Sequence, residues 1–306
     1  MAVLFTDGVG IGARDPAVNP LCTGDFLLSQ FADGSGTALP TGVRCCVTDT
    51  TFGVEGRPQS ASNQTAIYTG SPAPRRIGRH LLGYPNAELC ALLAEESIVK
   101  QLTAAGRTAT FANAYPVEYL DALGLARRAS SGAEDLSIPE RFLRKLKASA
   151  STLAMAAGGV ALRTFDDARA GEGLTHDIDG SLAIKRNASL PLRTPAEAAQ
   201  IFWSLAADFT LFEHFLADEA GHAQDHEGAR HALATFDAFA REVILRKPAD
   251  AQVLICSDHG NVEDLSSRGH TRNPVAVLSA GEAEVSIRDV ADVGRTVLSL
   301  LGVDAR

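Results

Sequence analysis

The feature that most constrains this chain is an alternation of two patterns. Short, continuous apolar runs are separated by longer stretches whose apolar residues recur three and four apart. The runs Ala2 to Thr6, Val43 to Val47, Thr108 to Ala112, Phe209 to Ala217, Ala251 to Cys256 and Pro274 to Ser279 read as buried strands. Between them, Ser97 to Ala105, Pro139 to Lys147, Pro195 to Ala207, Ala229 to Leu245 and Val290 to Leu301 carry helical periodicity. Ser137 with Glu140, and Thr194 with Glu197, have capping-box spacing, each with a proline near the first turn. The alternation predicts an α/β fold: a mostly parallel central sheet with helices on both faces, binding its ligands beyond the carboxyl ends of the strands.

Tyr115 to Arg193 breaks that rhythm. It offers no convincing strand, but a basic helix, an Ala-rich stretch and a Gly/Asp-rich turn at Gly171 to Gly180. Two readings are open: a small helical lid inserted into a domain spanning residues 1–306, or crossover helices and loops lying on the sheet. With 306 residues, 45% of them hydrophobic, the chain can bury a sizeable core. Lys and Arg total 28 against 37 Asp and Glu, a formal charge of −9, which argues against nucleic acid as a partner. The five cysteines, Cys22, Cys45, Cys46, Cys90 and Cys256, are too scattered for a disulfide framework and fit a reducing compartment. No stretch approaches the ~20 apolar residues that span a bilayer, and the first residues lack the basic start of a signal peptide. The expectation is a cytoplasmic protein with no membrane partner.

Chemistry concentrates where the predicted strands end. The first strand runs into Asp7-Gly8-Val9-Gly10-Ile11-Gly12. These glycines resemble a dinucleotide fingerprint only superficially, because Arg14-Asp15-Pro16 and Asn19-Pro20 prolong the loop where a helix should open. Alone, Asp7 would be a turn or cap acid. A second cluster, Asp258-His259-Gly260-Asn261, is followed by Gly269-His270-Thr271, and a third is Asp218-Glu219-Ala220-Gly221-His222. One helix face or a loop leaving the sheet would serve Asp218 and His222 equally well. A single Asp-His pair is more often a hydrogen bond than a metal site. Asp7, Asp218, Asp258, His222, His259 and His270 together form a three-Asp, three-His set, enough for two divalent ions with open positions, Zn or Mn by ligand type. His80, His176, His214, His226 and His231 read as packed or solvent-facing, with Asp225 and His226 near enough to His222 to compete as ligands. In Gln59-Ser60-Ala61-Ser62-Asn63-Gln64-Thr65, a loop enters a helix, so Ser60 or Ser62 is either an N-cap or a nucleophile whose oxyanion the helix N-terminus favours.

Taken in order, these motifs resemble the alkaline phosphatase superfamily, and within it the branch of cofactor-independent phosphoglycerate mutase and phosphopentomutase. The matching elements are Asp7 after the first strand, Ser60 ahead of Gly70, Asp218 with His222, Asp258-His259-Gly260, Gly269-His270-Thr271 and a closing helix from Asp289 to Gly302. The resemblance implies that Asp218, His222 and His270 hold one ion, and that Asp7, Asp258, His259 and the Ser60 oxygen hold the other. Ser60 is then the nucleophile, with Ser62 and Thr65 as fallbacks, and Arg79, His80, Asn113 and Arg272 are candidate phosphate clamps. Phosphoglycerate mutases carry a long inserted domain, for which only Tyr115 to Arg193 is available, and a Val-Gly-His after the serine that this chain lacks. The chain therefore looks like a stand-alone, two-metal phosphoryl-transfer enzyme. It is expected to hydrolyse a small phosphorylated metabolite through phospho-Ser60, with a phosphomutase or a phosphodiesterase as the alternative. Outside that class stands a structural metal-binding protein without turnover; a nicotinamide oxidoreductase rests on the glycines alone.

Overall fold

In the computed structural model, which describes residues 1–129, 144–185 and 189–304, the six apolar runs form one sheet. Its strands are β1 (Ala2–Thr6), β2 (Val43–Thr48), β3 (Ala109–Phe111), β6 (Phe209–His214), β7 (Val253–Cys256) and β8 (Val275–Ala280), in the order β2-β8-β7-β1-β6-β3. β1 pairs in parallel with β6 and β7, and β3 with β6, while β8 runs antiparallel to both β7 and β2. The sheet is thus mostly parallel, as the sequence pattern requires. A second, two-stranded parallel sheet joins β4 (Ala114–Tyr115) to β5 (Arg163–Thr164). The expectation of no strand between Tyr115 and Arg193 fails here because two-residue strands are too short to show a period.

Side chains alternate across the sheet and give each face its own core. Val3 and Phe5 of β1 face one side, with α1 (Ser60–Thr69), α3 (Ala87–Glu96), α4 (Ile98–Ala104), α6 (Ala150–Ala157) and α12 (Ala291–Leu300). Ala2 and Leu4 face the other, with α9 (Pro195–Ser204), α10 (Leu216–Ala223) and α11 (His226–Leu245). Shorter helices are α2 (Ala73–Ile77), α5 (Val117–Ala122), α7 (Phe165–Arg169) and α8 (Ser181–Lys185). The Ala-rich α6 joins the main core, whereas Ala114, Ala168, Ala183 and Leu190 form a small cluster of their own against Phe165. None of the helices among the described residues is long and apolar enough to cross a membrane.

Two boundaries differ from expectation. The strand predicted over Phe209 to Ala217 stops at His214, and Ala217 lies inside α10. Asp218 and Glu219 in that helix's first turn complement its positive end and favour the early switch. The capping box at Ser137 and Glu140 and most of the helix predicted from Pro139 fall outside the described residues, while Arg144 to Lys147 form a turn and irregular backbone. The box at Thr194 and Glu197 forms as predicted, with Pro195 in the first turn.

α1 and α12 approach so closely that a Cβ on Gly294 would collide with the carbonyl oxygen of Ile67 and press on Gly70. Helix propensity alone would favour alanine there by ~1 kcal/mol. The collision is with backbone, so α1 itself must shift, and overpacking of that kind costs ~1–3 kcal/mol. Gly294→Ala should therefore cost up to about 2 kcal/mol net and lower the urea midpoint; a raised midpoint would mean that the two helices separate freely.

Candidate metal and nucleophile site

The parallel strands end along one edge, and the site residues stand there in sequence order. Asp7 follows β1, Asp218 and His222 lie one turn apart on α10 just after β6, and Asp258 and His259 follow β7. His270 reaches the same edge because β8 runs the other way, so the loop that enters it lies over the carboxyl end of β7. β2 is parallel to β7, and the chain leaving it passes through residues 49–59 to Ser60 at the start of α1. The helix reading of Asp218 and His222 is the one realised.

Seven predicted residues converge. Asp218 Oδ2 lies 3.2 Å from His222 Nε2 and Asp218 Oδ1 3.8 Å from His270 Nε2. His259 Nε2 lies 2.9 Å from Ser60 Oγ, 3.3 Å from Asp7 Oδ1 and 3.4 Å from Asp258 Oδ2. The His259 and His270 rings stack with centroids 3.7 Å apart and join the two halves. Two sets of ligand atoms are close enough to share an ion: Asp218, His222 and His270, and Asp7, Asp218 and His259. Asp218 belongs to both, whereas the sequence assigned it to one.

The hydrogen bonds around the cluster test whether cations fit. His222 Nδ1 lies 2.7 Å from the Arg268 carbonyl and His270 Nδ1 lies 2.9 Å from the Pro58 carbonyl, so each Nδ1 must carry a proton and donate it. In the neutral rings both Nε2 lone pairs then face Asp218 and one another, 3.1 Å apart. Only a cation between them, a proton or a metal, makes that arrangement favourable. Asp7, Asp218 and Asp258 are buried, and among the described residues no Lys or Arg pairs with any of them. Asp7 Oδ1 has no hydrogen-bond partner, a vacancy that an ion would fill.

Protonation follows from these surroundings. Burial, then the neighbouring Asp258 and Asp218 charges, hold the Asp7 carboxyl well above the ordinary range, and burial likewise raises Asp258. Burial also pushes Asp218 up, but the hydrogen bonds from His222 and Asn261 and the charges of His259 and His270 outweigh it and hold it low. The hydrogen bond to Asp218 lifts His222 to about 9, while burial and the charge of His259 push His270 down to about 4.

Several residues that brace the site escaped the sequence reading. Gln64 Nε2 donates to Asp7 Oδ2 at 3.0 Å and to Asp258 Oδ2 at 3.1 Å, holding two carboxylates that repel. It lies one helical turn beyond Ser60, a spacing that could have pointed to it. Asn261 Nδ2 donates to Asp218 Oδ1 at 2.7 Å. Glu263, buried, accepts from the backbone N–H groups of Gly10 and Asn261, from Thr271 Oγ1 and from Asn273 Nδ2. A Cβ on Gly10, Gly12 or Gly260 would strike its side chain, so the glycines after β1 wrap a carboxylate and cradle no cofactor. Gly8, at φ 73°, leaves room for Asp218 Oδ1, which a Cβ would approach to 2.5 Å. On β6, Glu213 accepts a 2.7 Å bond from Ser151 Oγ, and burial raises it to about 7.

Other candidates are used elsewhere. Ser62 Oγ donates to the Gln59 carbonyl and accepts from Leu81 N–H, and Thr65 Oγ1 donates to the Ala61 carbonyl, so neither hydroxyl is free to attack. Ser60 is not a cap: the N-cap is Gln59, whose side chain makes no capping bond. Asp225 caps α11 through Gly228 N–H, His226 and His231 are exposed, and His214 is buried beside Thr6 and Phe236. Arg79 pairs with Glu88, His80 packs near Gly56, and Asn113 bonds Glu213 and His176. Arg272, exposed, donates to the Gly56 carbonyl at the site's rim. Two further exposed arginines stand there: Arg57, against Gly269 and next to Pro58, and Arg268, whose carbonyl holds His222. Among the described residues none of these three is paired with an acid.

Comparison with known proteins agrees with this geometry. Residues 196–305, which contain Asp218, His222, Asp258, His259 and His270, match the family model of the metalloenzyme superfamily. The phosphopentomutase of Deinococcus radiodurans is 36% identical over 103 residues, 31% of this chain and 26% of that protein. A 2,3-bisphosphoglycerate-independent phosphoglycerate mutase of Yersinia pestis is 32% identical over 98 residues, 28% of this chain and 19% of that protein. The chain thus matches about a quarter or less of the length of these curated relatives. A cold-active alkaline phosphatase from the psychrophile Shewanella sp. has a TM-score of 0.52 at 13% identity, over 98% of this chain and 100% of that one. The alkaline phosphatase of the Antarctic bacterium TAB5 has a TM-score of 0.53 at 15% identity, over 98% of each chain. The carboxy-terminal third of the chain thus matches the metalloenzyme superfamily in sequence, and the whole chain has an alkaline phosphatase-like α/β fold. Its curated relatives are phosphomutases, and the superfamily implies divalent metal ions.

A measurable consequence follows from His222. With its pKa raised to about 9, its ring is protonated at pH 7.5 in the metal-free protein and must lose that proton to ligate. Loading metal-stripped protein with Zn at pH 7.5 should release about one more proton per chain than the same titration of His222→Ala, and the difference should vanish above about pH 10. Equal release by both proteins at pH 7.5 would remove His222 from the ligand set.

Proposed function

We propose that the protein is a two-metal phosphoryl-transfer enzyme that hydrolyses a small phosphomonoester through a phospho-Ser60 intermediate. The observation that carries this reading is the placement of Ser60: a half-buried hydroxyl at the first position of α1, 2.9 Å from His259, while the neighbouring Ser62 and Thr65 hydroxyls are engaged with the backbone. Asp218, His222 and His270 would hold one ion, and Asp7, Asp258 and His259, with Ser60 Oγ, the other. When bound, such ions supply Lewis acidity that lowers the seryl pKa and neutralises charge on the phosphoryl oxygens. Zn and Mn both suit the donors.

The chain's own groups do the rest. Ser60 Oγ attacks phosphorus, its bond to phosphorus forms as the ester P–O bond breaks, and the alcohol leaves. The first-turn N–H groups of α1, which a helix leaves unpaired, face the new phosphate. Water then attacks phosphorus, Ser60 Oγ leaves, and inorganic phosphate departs. Arg57, Arg268 and Arg272 draw the dianion to the mouth and replace the clamp that sequence reading sought mainly elsewhere. His222, with 43% of its side chain exposed, keeps the mouth open to water and favours hydrolysis over retention of the phosphate.

The second reading is an intramolecular phosphomutase. It draws on the curated relatives and on the small sheet with α7 and α8, which would act as a lid over the same edge of the main sheet. The test uses protein stripped by chelator and restored separately with Zn or Mn, assayed for phosphate release from an aryl phosphate. Restored wild type should turn over, and Ser60→Ala should lose at least ~10³-fold in kcat. Full activity of Ser60→Ala would overturn the mechanism, and an isomeric ester without free phosphate would select the mutase.

A further inference from the structure

Beyond β3 and β6, beside the metal cluster, lies a cavity of about 140 Å³ that the chemistry above does not use. Its walls are formed chiefly by Tyr115, Phe165, His176, Leu182, Ala183 and Phe215. Phe215 is the residue at which α10 begins, and it stands three positions before Asp218, ~5–6 Å along the helix start. The cavity therefore shares with the Asp218 side of the cluster the turn that opens α10. A cavity of ~150 Å³ accepts one benzene-sized ring.

One polar group inside it can be assigned an unambiguous role. The backbone N–H of Glu213 must donate, and it points at Asn113 Oδ1 at 2.8 Å, which fixes the orientation of that amide. Asn113 Nδ2 then gives its two hydrogens to the Glu213 carbonyl at 2.7 Å and to His176 Nδ1 at 3.0 Å. Nδ1 of His176 also lies 3.3 Å from the Glu213 carbonyl, but that oxygen already takes the shorter Asn113 bond, and the Asn113 amide that faces Nδ1 at 3.0 Å can only donate. Nδ1 therefore accepts and the ring proton sits on Nε2, for which the described residues offer no partner. Burial pushes His176 down to about 4, so the ring is neutral at pH 7. Tyr115 at 5.1 Å and Phe215 at 4.7 Å, centroid to centroid, hold the ring in place. Asp177, also in the lining, is turned away to accept from Leu182 N–H.

We propose that this cavity is the leaving-group subsite, and that the natural ester carries a flat, largely apolar ring with one hydrogen-bond acceptor, received by the aromatic walls and His176 Nε2–H. The proposal rests on the phosphoryl-transfer reading. It assigns substrate selection to Phe165, His176 and Phe215.

The test compares ethyl phosphate, 2-phenylethyl phosphate and 2-(pyridyl)ethyl phosphate, which share a primary alkyl leaving group and differ only in the ring and its acceptor. Wild type should prefer the phenylethyl over the ethyl ester by at least ~10-fold in kcat/KM, and the pyridyl ester by a further ~2–10-fold. Leu182→Trp, which fills the cavity, should abolish the first preference by lowering kcat/KM for the phenylethyl ester at least ~10-fold. His176→Phe should abolish only the second. In parallel, saturation-transfer NMR should detect 2-phenylethanol binding to wild type and its loss in Leu182→Trp, with circular dichroism confirming that both variants fold. Equal kcat/KM for all three esters in wild type, or alcohol binding unchanged by Leu182→Trp, would overturn the subsite. Turnover of no ester alongside Leu182-dependent alcohol binding would instead overturn the phosphatase reading and leave the ring pocket standing.

Discussion

Three carboxylates forced together away from water are the constraint on which this structure turns. Asp7, Asp218 and Asp258 reach one spot from just beyond three different strands, and among the described residues no fixed positive side chain pairs with them. Without ions, the fold manages the repulsion by protonation and by neutral donors: His222 and Asn261 keep Asp218 ionised, and Gln64 spans Asp7 and Asp258. The folded-state pKa values of Asp7 and Asp258 are raised, so these two acids favour the folded state fully only below the ordinary carboxylate range, near pH 4. That contribution is lost as pH rises through their elevated values. At neutral pH the metal-free centre is consequently a source of strain, which divalent ions convert into a source of stability.

The direction of β8 decides whether the ligand set closes. Its antiparallel register with β7, Ile255 opposite Leu278 and Val253 opposite Ala280, sends the loop of residues 260–274 back across the carboxyl edge. Had β8 been parallel, its entry loop and His270 would stand at the opposite end of the sheet. The same loop carries Glu263, whose carboxylate ties it to Gly10 beside β1, and Asn261, which ties it to α10. One segment thus supplies a ligand and holds the other two strand ends in place, and the glycines at 10, 12 and 260 give its carboxylate room.

The sheet and the residues that converge at its carboxyl edge were legible because each leaves a local signature. A buried strand is a short apolar run, and Asp and His immediately after such a run stand out against it. Of the main strands, Phe209–His214 was extended furthest, since apolar Leu216 and Ala217 continue the run while the backbone has already turned into α10. α1 was legible only at its start. Every residue after Ser60 in it is buried, polar ones included, so it has no apolar stripe. Asn261 and Glu263 were invisible for a related reason: each depends on a partner far away in the chain, Asp218 at 43 residues and Gly10 at 253, and no local period encodes that. The same holds for Arg57 and Arg268, which gain meaning only from their position beside Pro58 and His222.

On the proposed reading, a protein of net charge −9 takes up a phosphate dianion and must reverse its own field near the site. Screening makes this feasible, since at physiological ionic strength charges beyond ~8 Å contribute little. The relevant charges are then those at the mouth, and there Arg57, Arg268 and Arg272 stand without acidic partners while the rest of the surface carries the excess of acids. Within the centre, two divalent ions would outweigh the three aspartates. On that reading the two layers would act in sequence on an incoming ester, the exposed arginines on its approach and the buried centre on its reacting oxygens. Binding of phosphate would in this way be tied to metal occupancy, because with the ions absent the same buried carboxylates would repel it.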